Sequence, residues 1–220
     1  MPGLAMTVLA LIGYSFRRPQ WRIAVPALLV GVVTHRALLS VLTDDAGPIV
    51  AVRLASLPLV LGVGFALEDP IHDLARSFPM RYWVARIILV VPSGVLIIAF
   101  FLIARAADIT VVPMLRVSLF RGIAVELTAL AVIGVAAGSL VRAERGSGLH
   151  GIVAAGVQLV VFALAWLLPE PLALFADDPL SEDWLKAHYV WLGIIALSAG
   201  TFLLASRDMG RCRQSKALRR

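Results

Sequence analysis

Residues 68–81 read EDPIHDLARSFPMR, a polar break between two strongly apolar runs. Asp69 is a good N-cap, and Pro70 suits the first helical position, where its missing N–H is no loss. Ile71, Leu74, Ala75 and Phe78 fall at i, i+3, i+4 and i+7, the spacing of one apolar helix face. His72, Asp73, Arg76 and Ser77 take the other face, and Pro79 disfavours helix at Phe78 and ends the element. A helix this short is not stable alone in water, so it needs a surface to lie against. That surface is either the membrane or a partner protein.

The runs on either side set the fold class. Hydrophobic residues make up 60% of the 220 positions and charged residues 15%, against about 25% charged in an ordinary soluble domain. Mean hydropathy is +0.90. The expectation is an all-α integral membrane protein, one transmembrane domain over 1–220. The 20 basic residues outnumber the 14 acidic ones, an excess that concerns orientation and lipid headgroups and not nucleic acid. All but two of the basic residues are Arg, as a GC-rich bacterial genome produces. Cys212 is the only cysteine, which leaves no intrachain disulfide and no thiolate metal site. Residues 1–16 lack the basic start and small-residue cleavage site of a signal peptide.

Residues 1–20 read as an interfacial helix, because Leu4–Phe16 is too short to cross a bilayer and is followed by Arg17, Arg18 and Trp21. Six spans are expected within 21–206: Trp21–Leu42, Ile49–Leu67, Tyr82–Ala104, Val117–Val141, Gly151–Leu168 and His188–Ser206. Residues 207–220 read as a disordered basic tail attracted to anionic lipid. With the N-terminus inside, 14 of the 20 basic residues fall on the cytoplasmic side, among them Arg17, Arg76, Arg81, Arg142, Arg207 and Arg220. That bias puts both termini and the 68–81 element in the cytoplasm. The longest outer segment, Pro169–Ala187, is either a short amphipathic piece on the membrane surface or an irregular acidic loop.

Nucleotide-binding G-x-x-x-x-G-K-[ST], G-x-S-x-G and H-E-x-x-H patterns do not occur, and the four histidines are scattered. No catalytic group, cofactor or metal is therefore expected in this chain. Intramembrane charge is more informative. Glu126 sits roughly nine residues into its span, about 13 Å deep, and an ionisable residue at that depth needs a partner or a function. Arg36 and Arg53, with His35, are candidate partners, and Arg121 lies on a neighbouring face of the same helix. Such a cluster either bridges spans, lines a substrate path or carries protons. Gly134 and Gly138 form a G-x-x-x-G that permits close helix approach.

At residues 68–86 these features form a recognisable pattern. A span ends in an acidic pair, a short amphipathic helix follows, then Leu74-Ala75-Arg76-Ser77-Phe78-Pro79-Met80 and a basic entry to the next span. This resembles the membrane (permease) subunit of type-2 ABC exporters, whose first cytoplasmic loop carries a coupling helix. Glu126-Leu127 and Arg207-Asp208 are similar to small actinobacterial ABC permeases. The resemblance implies a second permease copy or paralogue, a bacterial cytoplasmic membrane, and a separate cytoplasmic ABC ATPase that binds ATP and Mg. It also implies that Ile71, Leu74, Ala75 and Phe78 pack against that ATPase while Asp73 and Arg76 register the contact. The acidic outer segment departs from the family pattern. Two other classes stay open: a proton-coupled transporter using Glu126, and an accessory subunit without a transport path. The latter is favoured if the intramembrane charges face only one another within one protomer.

Overall fold

The computed structural model describes residues 21–42, 47–66, 94–95, 97–100, 102, 113–145, 150–169 and 174–217. All regular structure among them is helical: α1 (Trp21–Val41), α2 (Gly47–Ala66), α3 (Pro113–Arg145), α4 (His150–Leu167) and α5 (Glu182–Ala217), with further helical residues at 97–100. Four of these, α2 to α5, are long and apolar enough to cross a membrane; α1 carries a shorter apolar stretch, Val25–Val41. This is the architecture of a multi-pass membrane protein. Residues 1–20, the 68–81 element and most of the expected third span lie outside the described residues.

The composition of each helix shows which side meets lipid. Along α4, Gly151, Ala154, Ala155, Gln158, Phe162 and Ala165 face inward at helical spacing. Ile152, Leu159, Val160, Leu164 and Leu167 point outward and are exposed. Small side chains inside and large apolar ones outside is the reverse of a water-soluble helix. It follows when the solvent is as apolar as the core and close packing, not hydrophobic burial, holds helices together. α3 packs against α4 and α5, while α2 packs against α1, α3 and α4.

α3 has 33 described residues. At 1.5 Å per residue it is about 50 Å long, well beyond a hydrocarbon core of about 30 Å. Its apolar part, Leu119–Val141, lies close to the expected Val117–Val141.

Two expectations change in α5. The helix starts at Glu182 and not at His188, because Ser181 caps it: the Trp184 N–H donates to Ser181 Oγ at 3.1 Å. Asp178 prepares that start, its carboxylate accepting the Leu180 N–H at 2.9 Å in an Asx turn. The far end differs as well. Where a disordered tail from Arg207 is expected, the helix runs on to Ala217. Residues 206–217 contain no proline and several good helix formers, and extending an existing helix requires no new nucleus.

Candidate functional site

The buried charges gather where α2 and α3 begin, α4 ends and α5 begins. Arg53 lies six residues after the first residue of α2, and Glu126 is thirteen after the first of α3. Each is only 1% exposed. The Arg53 guanidinium grips the Glu126 carboxylate by two parallel bonds, Nε to Oε2 at 2.9 Å and Nη2 to Oε1 at 2.7 Å. This fork is specific to Arg, since a Lys ammonium cannot match both carboxylate oxygens in one plane.

The rest of the guanidinium is engaged by the segment that joins α4 to α5. Nη2 also donates to the Ala176 carbonyl at 2.8 Å, and Nη1 to Asp177 Oδ1 at 3.3 Å. Phe175 lies over the guanidinium, its ring centroid 4.7 Å from Cζ, and the Trp184 ring lies 5.6 Å away. These distances suit cation–π attraction in a site shielded from water. Phe175 in turn sits among Phe162 at 5.2 Å, Trp166 at 5.9 Å and Trp191 at 5.7 Å between centroids. Trp191 Nε1 donates to the Leu174 carbonyl at 2.9 Å, which fixes the start of the segment.

Residues 174–181 are irregular and acidic, the second of the two alternatives for this segment, and are packed against the bundle. They form an irregular strap that folds inward over Arg53. Asp177 and Asp178 remain exposed at its rim, and the inward contacts come from Phe175, the backbone of Ala176 and the Asp177 carboxylate that accepts from Arg53. A reading of charge alone misses this. The Asp177-Asp178-Pro179-Leu180-Ser181 turn chemistry before Glu182-Asp183 is the signal that could have placed the helix start, and an aromatic two residues ahead of it the anchor.

The Trp184 face of α5 reaches Glu126 from the other side. His188 Nδ1 lies 2.6 Å from the Trp184 carbonyl, and Nε2 is 3.6 Å from Glu126 Oε1. Gly122, one turn before Glu126, makes this approach possible. A Cβ there would collide with the Trp184 ring and lie 2.5 Å from His188 Nε2. The four sequence candidates therefore separate. Arg53 and Glu126 are brought together, whereas Arg36 and Arg121 are exposed and outside the pair. His35 is buried instead beside Phe100, their ring centroids 6.2 Å apart. Ile71, Asp73, Leu74, Ala75, Arg76 and Phe78 all lie outside the described residues.

A second buried polar group lies where α2, α3 and α4 meet. Gln158 is fully buried, and its Nε2 donates to the Leu130 carbonyl at 3.1 Å. A Cβ on Gly134 would collide with this amide, and one on Gly64 would lie 3.1 Å from its Oε1. Gly134 thus makes room for a side chain of α4. Neither protein-family models, nor curated proteins, nor solved structures match this chain.

Chemically, the cluster is a clasp. Both Glu126 oxygens are tied to one guanidinium inside the same chain, and proton carriage by this carboxylate would require the pair to open.

Proposed function

We propose that this chain is the permease subunit of an ATP-driven ABC exporter, a six-span protein of the bacterial cytoplasmic membrane with both termini inside. It docks on a separate ATPase through residues 68–81. The observation that supports this reading is that α2, a helix long and apolar enough to cross a membrane, is described up to Ala66, and Glu68-Asp69 follow it closely in the sequence. The amphipathic pattern of 68–81 thus follows a helix of membrane length in the sequence, the position expected of a coupling helix. Affinity purification in mild detergent, with mass spectrometry of what co-purifies, tests it. An ABC ATPase is expected in the complex, and Leu74→Asp should remove it by placing a charge on the docking face. A complex without an ATPase overturns the proposal.

An accessory subunit without its own path is the second reading, favoured by the Arg53–Glu126 pair closing on itself within one protomer. Reconstitution separates the two readings. Transport that persists when this chain is left out of the complex identifies an accessory role. The bidentate pair weighs against Glu126 as a proton carrier.

A further inference from the structure

Arg53 faces two anions that are held very differently. Glu126 is sealed in the bundle at 1% exposure, whereas the Asp177 side chain is 61% exposed and accepts a single bond at 3.3 Å. The strap offers Arg53 a carboxylate and a carbonyl oxygen, and sets an apolar ring into the adjoining aromatic nest. An anion joined to an apolar group is also the make-up of an amphiphile. Beside the nest runs an open groove of about 450 Å³, lined by Leu54, Phe162, Ala163, Trp166 and Leu167. Phe162 and Trp166 belong to both nest and groove, and Leu54 follows Arg53 directly in α2. The groove wall is almost entirely apolar and lies between two helices that are long and apolar enough to cross a membrane.

We propose that Arg53 and this groove form a binding site for an anionic amphiphile, for which the strap is an intramolecular stand-in. The ligand's carboxylate or phosphate takes the Arg53 N–H groups now held by Asp177 and Ala176, and its acyl chain runs along the groove. Glu126 stays paired throughout, so the guanidinium keeps its orientation. One anion replaces another on the Asp177 side of the buried guanidinium, and the Asp177 carboxylate, already 61% exposed, returns to solvent. Chain burial against the apolar wall supplies the driving force. The site requires neither an ATPase nor a transport path, so it goes beyond the function proposed above.

Tryptophan fluorescence of the full chain in phosphatidylcholine nanodiscs tests this. Three brominated probes are compared: dibromostearate, the corresponding dibromo-phosphatidate, and dibromostearyl alcohol. Bromine quenches nearby indoles, and Trp166 is in the groove wall. An anionic probe is expected to quench saturably, and about tenfold or more tighter than the alcohol. If the carboxylate saturates, the source is a free fatty acid; if the phosphate does, it is a phospholipid. Asp177→Ala removes the competing anion and should tighten binding, whereas Ala163→Phe fills the groove and should abolish the saturable component. Both positions are exposed, and circular dichroism checks that each variant is folded. Quenching that is equal for the alcohol, or that never saturates, overturns the proposal. So does binding no tighter in Asp177→Ala, or undiminished in Ala163→Phe.

Discussion

Arg53 and Gln158 are both buried between helices, at 1% and 0% exposure, yet the protein treats them in opposite ways. Arg53 makes four hydrogen bonds to three residues and lies against two aromatic rings. Gln158 makes one hydrogen bond, and its Oε1 accepts none. The difference follows from charge. A buried charge left uncompensated is far costlier than a buried amide with one idle acceptor, which forfeits about 1–3 kcal/mol. Burying a guanidinium therefore demands far fuller satisfaction, four of its five N–H groups being bonded, and supplying it draws α2, α3, the strap and α5 to one point. Burying an amide demands only space, which Gly64 and Gly134 provide. One group specifies the arrangement of an end of the bundle; the other fills a gap in its packing.

The largest effect should come from breaking the charged pair. Glu126→Gln leaves Arg53 without its buried counter-charge and should destabilise the protein by about 3–5 kcal/mol. Thermal unfolding in detergent measures it. The double variant Arg53→Met with Glu126→Leu removes both charges and should recover most of that loss, because an apolar pair of similar volume escapes the desolvation cost. A single substitution no worse than the double would mean that the pair is not the organising contact.

Next in size are the two glycines that admit each group. Gly122→Ala pushes a methyl into the Trp184 ring and His188, and overpacking of this kind costs about 1–3 kcal/mol. Gly134→Ala meets the Gln158 amide and should fall in the same range. Only the second should be relieved by shortening its partner: Gln158→Ala combined with Gly134→Ala should be less destabilised than the sum of the two. Strict additivity would show that Gly134 matters for some other reason.

How much of this was legible beforehand depends on the kind of signal. The continuous apolar runs mark α2 and α4 as helices of membrane length, and the end of α4 to within one residue, because a bilayer imposes its length on whatever crosses it. Glu126 was legible as a residue in need of a partner, but its choice of Arg53 over Arg36 was not. That choice depends on helix rotation and on the strap, neither of which has a periodic signature. Gly134 stood in a G-x-x-x-G of the kind that small residues produce by chance in any span, and nothing marked it as the seat of Gln158. The strap was hardest to read: its function rests on Phe175 and the backbone of Ala176, while its composition advertises only acidity. The start of α5 was legible in Ser181, and was obscured because polar Glu182, Asp183 and Lys186 lie ahead of the apolar run.

Gln158→Leu should sit far below the charged pair. It forfeits one hydrogen bond to a Leu130 carbonyl that already lies within α3, and it also removes an acceptor that had no partner. These effects oppose one another, so a net change within about 1 kcal/mol of zero is expected. A loss comparable to that of Glu126→Gln would erase the distinction drawn between the two groups.

The smallest effect belongs to Asp177, the exposed partner of Arg53. Asp177→Asn removes the charge from a side chain that is 61% exposed and 3.3 Å from its partner, and leaves the Glu126 fork untouched. Exposed pairs are worth about 0–1 kcal/mol, so the thermal midpoint in detergent should hardly move. Salt separates this contact from the buried one. Ions screen exposed charges within about 10 Å at 0.1 M but penetrate little to a sealed pair. Raising the salt should therefore erase the small difference between Asp177→Asn and the parent protein, while the deficit of Glu126→Gln persists. If instead Asp177→Asn lost as much stability as Glu126→Gln at every salt concentration, the strap would be a structural member equal to the helices. The asymmetry between the two anions of Arg53 would then collapse, and with it the picture of one permanent bond beside one that can be exchanged.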